Sequence, residues 1–150
     1  MIRGFRPLFF LCFFLYNRIK CLGVIFIMNV LEINVLVLAY LGDTIYENYV
    51  RRYLIHKGIG NVNDLQKSAI SYVSAKKQSD YLYEMINQKF LTEEEIDVVH
   101  RARNYKTTSH PKSCDIITYK NATGLEALIG YLDLKQEKER IDEIMNFILR

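Results

Sequence analysis

The chain has no tryptophan and, in 150 residues, only two prolines and seven glycines. That scarcity, with half of the residues hydrophobic and a quarter charged, excludes a low-complexity or disordered chain. Cysteine is equally sparse. Cys12, Cys21 and Cys114 show neither a pairing pattern nor metal-ligand spacing, so a reducing, cytoplasmic setting is expected. The three histidines are scattered and define no zinc site. Long apolar runs are missing too. Residues 8–16 and 21–27 are hydrophobic but are split by Asn17, Arg18 and Lys20, and neither approaches the roughly 20 apolar residues of a spanning helix.

Those first 27 residues differ from the rest. Arg3 and Arg6 precede a Phe-rich stretch in the manner of a signal peptide, yet no small-residue cleavage site follows. The expectation is that translation starts at Met28 and that residues 1–27 lie outside the native protein. A membrane or targeting segment is the alternative. Residues 28–150 are long enough for one domain with a core and too short for two.

What is present from Met28 onward is helical periodicity without a convincing strand, which predicts an all-α domain. Val35, Leu38, Leu41, Ile45, Tyr49 and Tyr53 recur at spacings of three and four, predicting a helix to about His56, ended by Gly58 and Gly60. Asn63 is expected to cap a helix over Leu65, Ala69, Ile70 and Val73, and Ser74 the next, with Leu82, Met85 and Ile86 inward. Thr92 to Glu95 is a capping box opening a helix with Ile96, Val99 and Ala102. Residues 107–113, with Pro111, read as the one evident loop. Helices are then expected over about 121–132 and 137–149, the last burying Ile141, Ile144, Met145 and Ile148.

Two charges interrupt this pattern. Asp43 is the lone acid in Leu-Ala-Tyr-Leu-Gly-Asp-Thr-Ile, and Glu126 the lone charge in Thr-Gly-Leu-Glu-Ala-Leu-Ile-Gly. Their neighbours three and four positions away include no Lys or Arg, and an unpaired carboxylate within an apolar surface is costly. Either both sit at the solvent edge of their helices, or they share one site with a cation between them. Mg²⁺ suits the second case, since it accepts one or two carboxylates together with waters and phosphates. Gly42, Gly124 and Gly130 flank these acids and predict close helix–helix approach. Glu47 is expected to pair with Arg51, and Asp115 to take a structural role, capping the next segment or holding a basic residue. Residues 101–112 hold Arg101, Arg103, Lys106 and Lys112 and no acid, a candidate grip for nucleic-acid phosphate. A solvated helix end is the plainer reading of the same charges.

Leu41-Gly42-Asp43-Thr44 resembles the signature helix of the ribonuclease III family, and Leu125 to Leu132 its second acidic helix. Tyr46 to Arg51, Val73 to Lys76, Arg101 to Asn104, Pro111-Lys112 and Thr118-Tyr119 resemble the Mini-III branch, whose members lack a double-stranded RNA-binding domain. The full-length enzymes carry two acids per helix. Here Ala39 and Thr123 stand at the second positions, as in the reduced Mini-III type. The resemblance implies a ribonuclease III-type catalytic domain of about six to seven helices acting as a homodimer. It also implies a Mg²⁺-dependent endoribonuclease for double-stranded RNA, with the stem of the 23S ribosomal RNA precursor as substrate. Asp43 and Glu126 would be its catalytic and metal-binding residues, with no stable membrane association. A non-catalytic RNA-binding or ribosome-associated protein on the same fold is the alternative.

Overall fold

In the computed structural model, residues 29–106 and 114–150 are described, and they fall into two units, Met1–Ile33 and Asn34–Arg150. Within the first unit the described part is a single 3₁₀ turn, Val30–Glu32, capped by the Asn29 side chain, which accepts from the Leu31 amide. The expectation that residues 1–27 are foreign to the protein concerns residues outside those described. So do the predicted loop 107–113 and the candidate Lys112.

The second unit is all-α, as its periodicity predicts. Its helices are α1 (Val35–His56), α2 (Val62–Val73), α3 (Ala75–Asn87), α4 (Glu93–Asn104), α5 (Ile116–Leu134) and α6 (Lys138–Leu149). α5 is the axis of the bundle. From Ala122 to Leu132 every residue except Glu126 is buried, the signature of a helix covered on all sides. α1, α4 and α3 pack around it. Asp115 starts it, its carboxylate accepting from the amides of Ile117 and Thr118 at 3.0 Å each. The predicted start near residue 121 is thus five residues late: the polar Thr118, Lys120 and Asn121 conceal an uninterrupted helix.

α1 spans its predicted length, from the Asn34 cap to Gly58, whose φ of +82° is the left-handed conformation that glycine adopts freely. Its buried stripe is Val35, Leu38, Ala39, Gly42, Tyr46, Val50 and Leu54. The expected stripe through Ile45, Tyr49 and Tyr53 lies one position away, and those three are only half-buried. The offset follows from Gly42: a residue without a side chain turns inward and draws its i+4 neighbour Tyr46 with it.

Two caps differ from expectation. Asn61, not Asn63, begins α2, its side chain accepting from the Asn63 amide at 2.8 Å. Ser74 occupies the junction of α2 and α3 with extended backbone, but its hydroxyl makes no cap hydrogen bond. α2 buries no residue fully, and Ile70 is exposed, because α2 covers only one side of α1. The capping box is present, with Thr92 Oγ1 accepting from the Glu95 amide and Glu95 Oε2 from the Thr92 amide. α6 buries the four residues predicted for it.

Candidate active site

The site is built where α1 and α5 cross. A Cβ placed on Gly42 would stand 1.8 Å from the Glu126 carbonyl oxygen, and one on Gly130 would stand 2.0 Å from the Leu38 carbonyl oxygen. The two glycines therefore let the helices meet backbone to backbone, which no larger residue permits at either place. Asp43 follows Gly42 directly, and Glu126 precedes Gly130 by one turn, so the crossing that needs glycine is also what brings the two acids together. Gly124 faces α4 instead, where an added Cβ would meet Val99 Cγ1 at 3.2 Å and Arg103 Cγ at 3.3 Å.

Burial divides the pair unequally. Asp43 is exposed and Glu126 half-buried. Burial, reinforced by the Asp43 charge, pushes the Glu126 carboxyl up to about 7, against a smaller opposing pull from the Gln78 amide. Asp43 is raised as well, by partial burial and then by Glu47. The repulsion between Asp43 and Glu126 thus falls on Glu126, the more buried of the two, which is the harder to ionise. Among the described residues neither acid has a salt-bridge partner. Glu47, one turn after Asp43, pairs with Arg51 at 2.8 Å as expected for an i,i+4 couple.

Asp43 sits at a solvent edge, near enough to the half-buried Glu126 for its charge to act on that carboxyl. Ala39 and Thr123, the positions where a second acid per helix would stand, are buried. The Thr123 hydroxyl donates back to the Tyr119 carbonyl at 3.1 Å. Among the described residues no group of three or more His, Cys, Asp or Glu side chains is placed to hold a metal. The donor set is two hard carboxylate oxygen ligands open to water on the Asp43 side. It fits a hydrated Mg²⁺ rather than a fully protein-ligated ion.

Two further residues belong to this neighbourhood and escape a reading of the sequence. Tyr46 is fully buried, donates its hydroxyl to the Tyr72 carbonyl at 2.9 Å, and its phenol is raised by burial first, then by Tyr81 and Glu126. Gln78 is 2% exposed on α3. Its spacing from Leu82 and Met85 places a polar side chain on the apolar stripe of its helix, a signal available in the sequence.

The basic candidates lie at the end of α4. Arg101 and Arg103 are half-buried and Lys106 is exposed. Arg101 and Lys106 line an open depression with Asp97, His100, Asn104 and Tyr105. Among the described residues no helix is long and apolar enough to cross a membrane.

The class of protein to which this helical unit belongs is shown by comparison with known families. Residues 36–137 match the Ribonuclease III domain, and the chain belongs to that family. It is an endoribonuclease. Mini-ribonuclease 3 proteins are among its curated relatives. That of Enterococcus faecalis is 44% identical over 119 residues, spanning 79% of this chain and 90% of the relative. That of Brevibacillus brevis is 51% identical over 112 residues, spanning 75% and 82%. A crystal structure of a protein from Fusobacterium nucleatum is similar with a TM-score of 0.70 and 39% identity, covering 79% of this chain and 93% of that one.

Proposed function

We propose that this endoribonuclease hydrolyses double-stranded RNA with Mg²⁺ held by Asp43 and Glu126, acting as a cytoplasmic homodimer on the stem of the 23S ribosomal RNA precursor. The observation that carries the reading is a carboxylate pair at the Gly42–Gly130 crossing, neither member of which is salt-bridged among the described residues. Bound there, Mg²⁺ would supply an activated water for in-line attack on the phosphodiester and offset charge on the leaving 3′-oxygen. Asp43, exposed and the more easily ionised, presents its carboxylate to solvent and substrate. Glu126 holds the inner side, where burial keeps bulk water from competing for it. Arg101, Arg103, Lys106 and Lys112 grip phosphates, which suits duplex RNA, a substrate recognised largely through backbone and 2′-hydroxyl contacts. The dimer and the ribosomal substrate are supported by the Mini-III resemblance.

The test is a cleavage assay on duplex RNA, single-stranded RNA and duplex DNA, with and without Mg²⁺. Cleavage confined to duplex RNA with Mg²⁺ is expected. Equal activity in a chelator would remove the metal from the reading, and equal cutting of single strands would remove the substrate class.

A further inference from the structure

The Gln78 side chain is 2% exposed, and its Nε2 is buried without a hydrogen bond of regular geometry. A buried amide left in that state is unfavourable, and a Leu or Met of similar volume would fill the same space on the stripe with Leu82 and Met85 at no such cost. Its chain neighbour Ser79, also buried, is satisfied: Ser79 Oγ accepts from Asn121 Nδ2 at 2.9 Å, tying α3 to α5. The register of α3 on α5 is therefore held by a different bond, and Gln78 is not needed for it. What the Gln78 amide faces, across the packing of α3 on α5, is the Glu126 carboxyl.

We propose that Gln78 is a positioning residue for Glu126, donating an N–H from α3 to one carboxylate oxygen so that the other is presented toward Asp43. An amide N–H has no lone pair to offer a cation, so through that group Gln78 acts on Glu126 and not on the metal. A ligating carboxylate held by an outer hydrogen bond keeps one orientation, and losing such a partner typically weakens metal affinity about 10–100-fold. The inference rests on the assignment of Glu126 as a metal ligand.

Calorimetric titration of the RNA-free protein with Mn²⁺ tests both, using Gln78→Leu and Glu126→Gln. Gln78→Leu is expected to bind Mn²⁺ about 10–100-fold more weakly than wild type, with a metal-free melting temperature that is unchanged or higher. Gln78→Asn, which keeps a donor on a shorter arm, is expected to fall between. The side-chain amide resonances of Gln78 in wild type should move on adding Mg²⁺ and stay in place in Glu126→Gln. Wild-type Mn²⁺ affinity in Gln78→Leu would show that Gln78 only packs. Should that variant not fold, Gln78 resonances indifferent to Mg²⁺ in wild type would overturn the inference equally. Wild-type affinity in Glu126→Gln would instead overturn the site itself.

Discussion

Glu95 and Glu126 are glutamates withdrawn from solvent on neighbouring helices, and the bundle treats them in opposite ways. Glu95 is 4% exposed and meets Arg140 through two hydrogen bonds, Nε to Oε1 at 2.7 Å and Nη2 to Oε2 at 3.0 Å. Arg140 also donates to the Phe90 carbonyl at 2.7 Å, so the guanidinium ties α6 to the start of α4. Burial alone would push Glu95 upward; Arg140 and the Thr92 amide overcome it and hold the carboxyl below the ordinary glutamate value. Beside Glu126 stand Asp43 and an amide, and its carboxyl is pushed up to about 7. A structural carboxylate is one whose cation belongs to the fold. A carboxylate withdrawn from water beside another acid leaves room for a cation from outside.

Substitution should separate the two most strongly through activity. Glu126→Gln and Asp43→Asn are expected to slow cleavage of a long RNA duplex by at least about 10²–10³-fold, the scale on which one preorganised electrostatic contributor acts. Their melting temperatures should hold or rise as like-charge repulsion is relieved. Gel-based rates and calorimetry decide this, and wild-type cutting by either variant would remove that residue from the site.

Glu95→Gln should reverse the pattern. Its folded fraction cleaves normally, while urea denaturation shows a loss of about 2–3 kcal/mol, less than for a wholly buried pair because part of Arg140 stays in water. A loss of cleavage with stability intact would make Glu95 part of the chemistry and erase the contrast.

The pH dependence gives the pair opposite signs. Glu95, lowered in the fold from 4.5, adds stability that is present above that value and is lost as pH falls through its folded pKa. Glu126, raised to about 7, costs nothing below 4.5 and progressively more as pH rises toward its folded value. In metal-free protein, Glu126→Gln should therefore gain on wild type between those values, whereas Glu95→Gln should fall behind wild type above pH 4.5. Parallel melting curves for the two variants across that range would contradict the comparison.

The smallest effect concerns the basic end of α4. Neutralising Arg101, Arg103 and Lys106 is expected to weaken duplex binding and flatten its salt dependence, by up to about 0.9 in slope for each phosphate no longer neutralised. Fluorescence anisotropy across a salt series measures it, and an unchanged slope would move the grip to another face.

Much of this was legible from local pattern. The capping box at Thr92 and Glu95, the Asp115 cap and the Glu47–Arg51 pair all join residues at most four positions apart, a range over which helix geometry is known in advance. The buried residues of α6 follow from periodicity for the same reason. The choice between Asn61 and Asn63, by contrast, turned on which one adopted extended backbone, and both are good caps.

By itself the sequence determined an all-α chain, its helices, and two carboxylates that no local partner neutralises. Periodicity and capping need only near neighbours, so those conclusions did not depend on how the helices meet. The tertiary structure decided which acids became partners. Gly42 and Gly130, far apart in sequence, face each other because α1 and α5 pack backbone to backbone, and that contact brings Asp43 and Glu126 together. It also delivered Arg140 to Glu95 and the Gln78 amide to Glu126. Electrostatic character inside a protein depends on what lies within a few ångströms and how much water is excluded, and packing alone sets both.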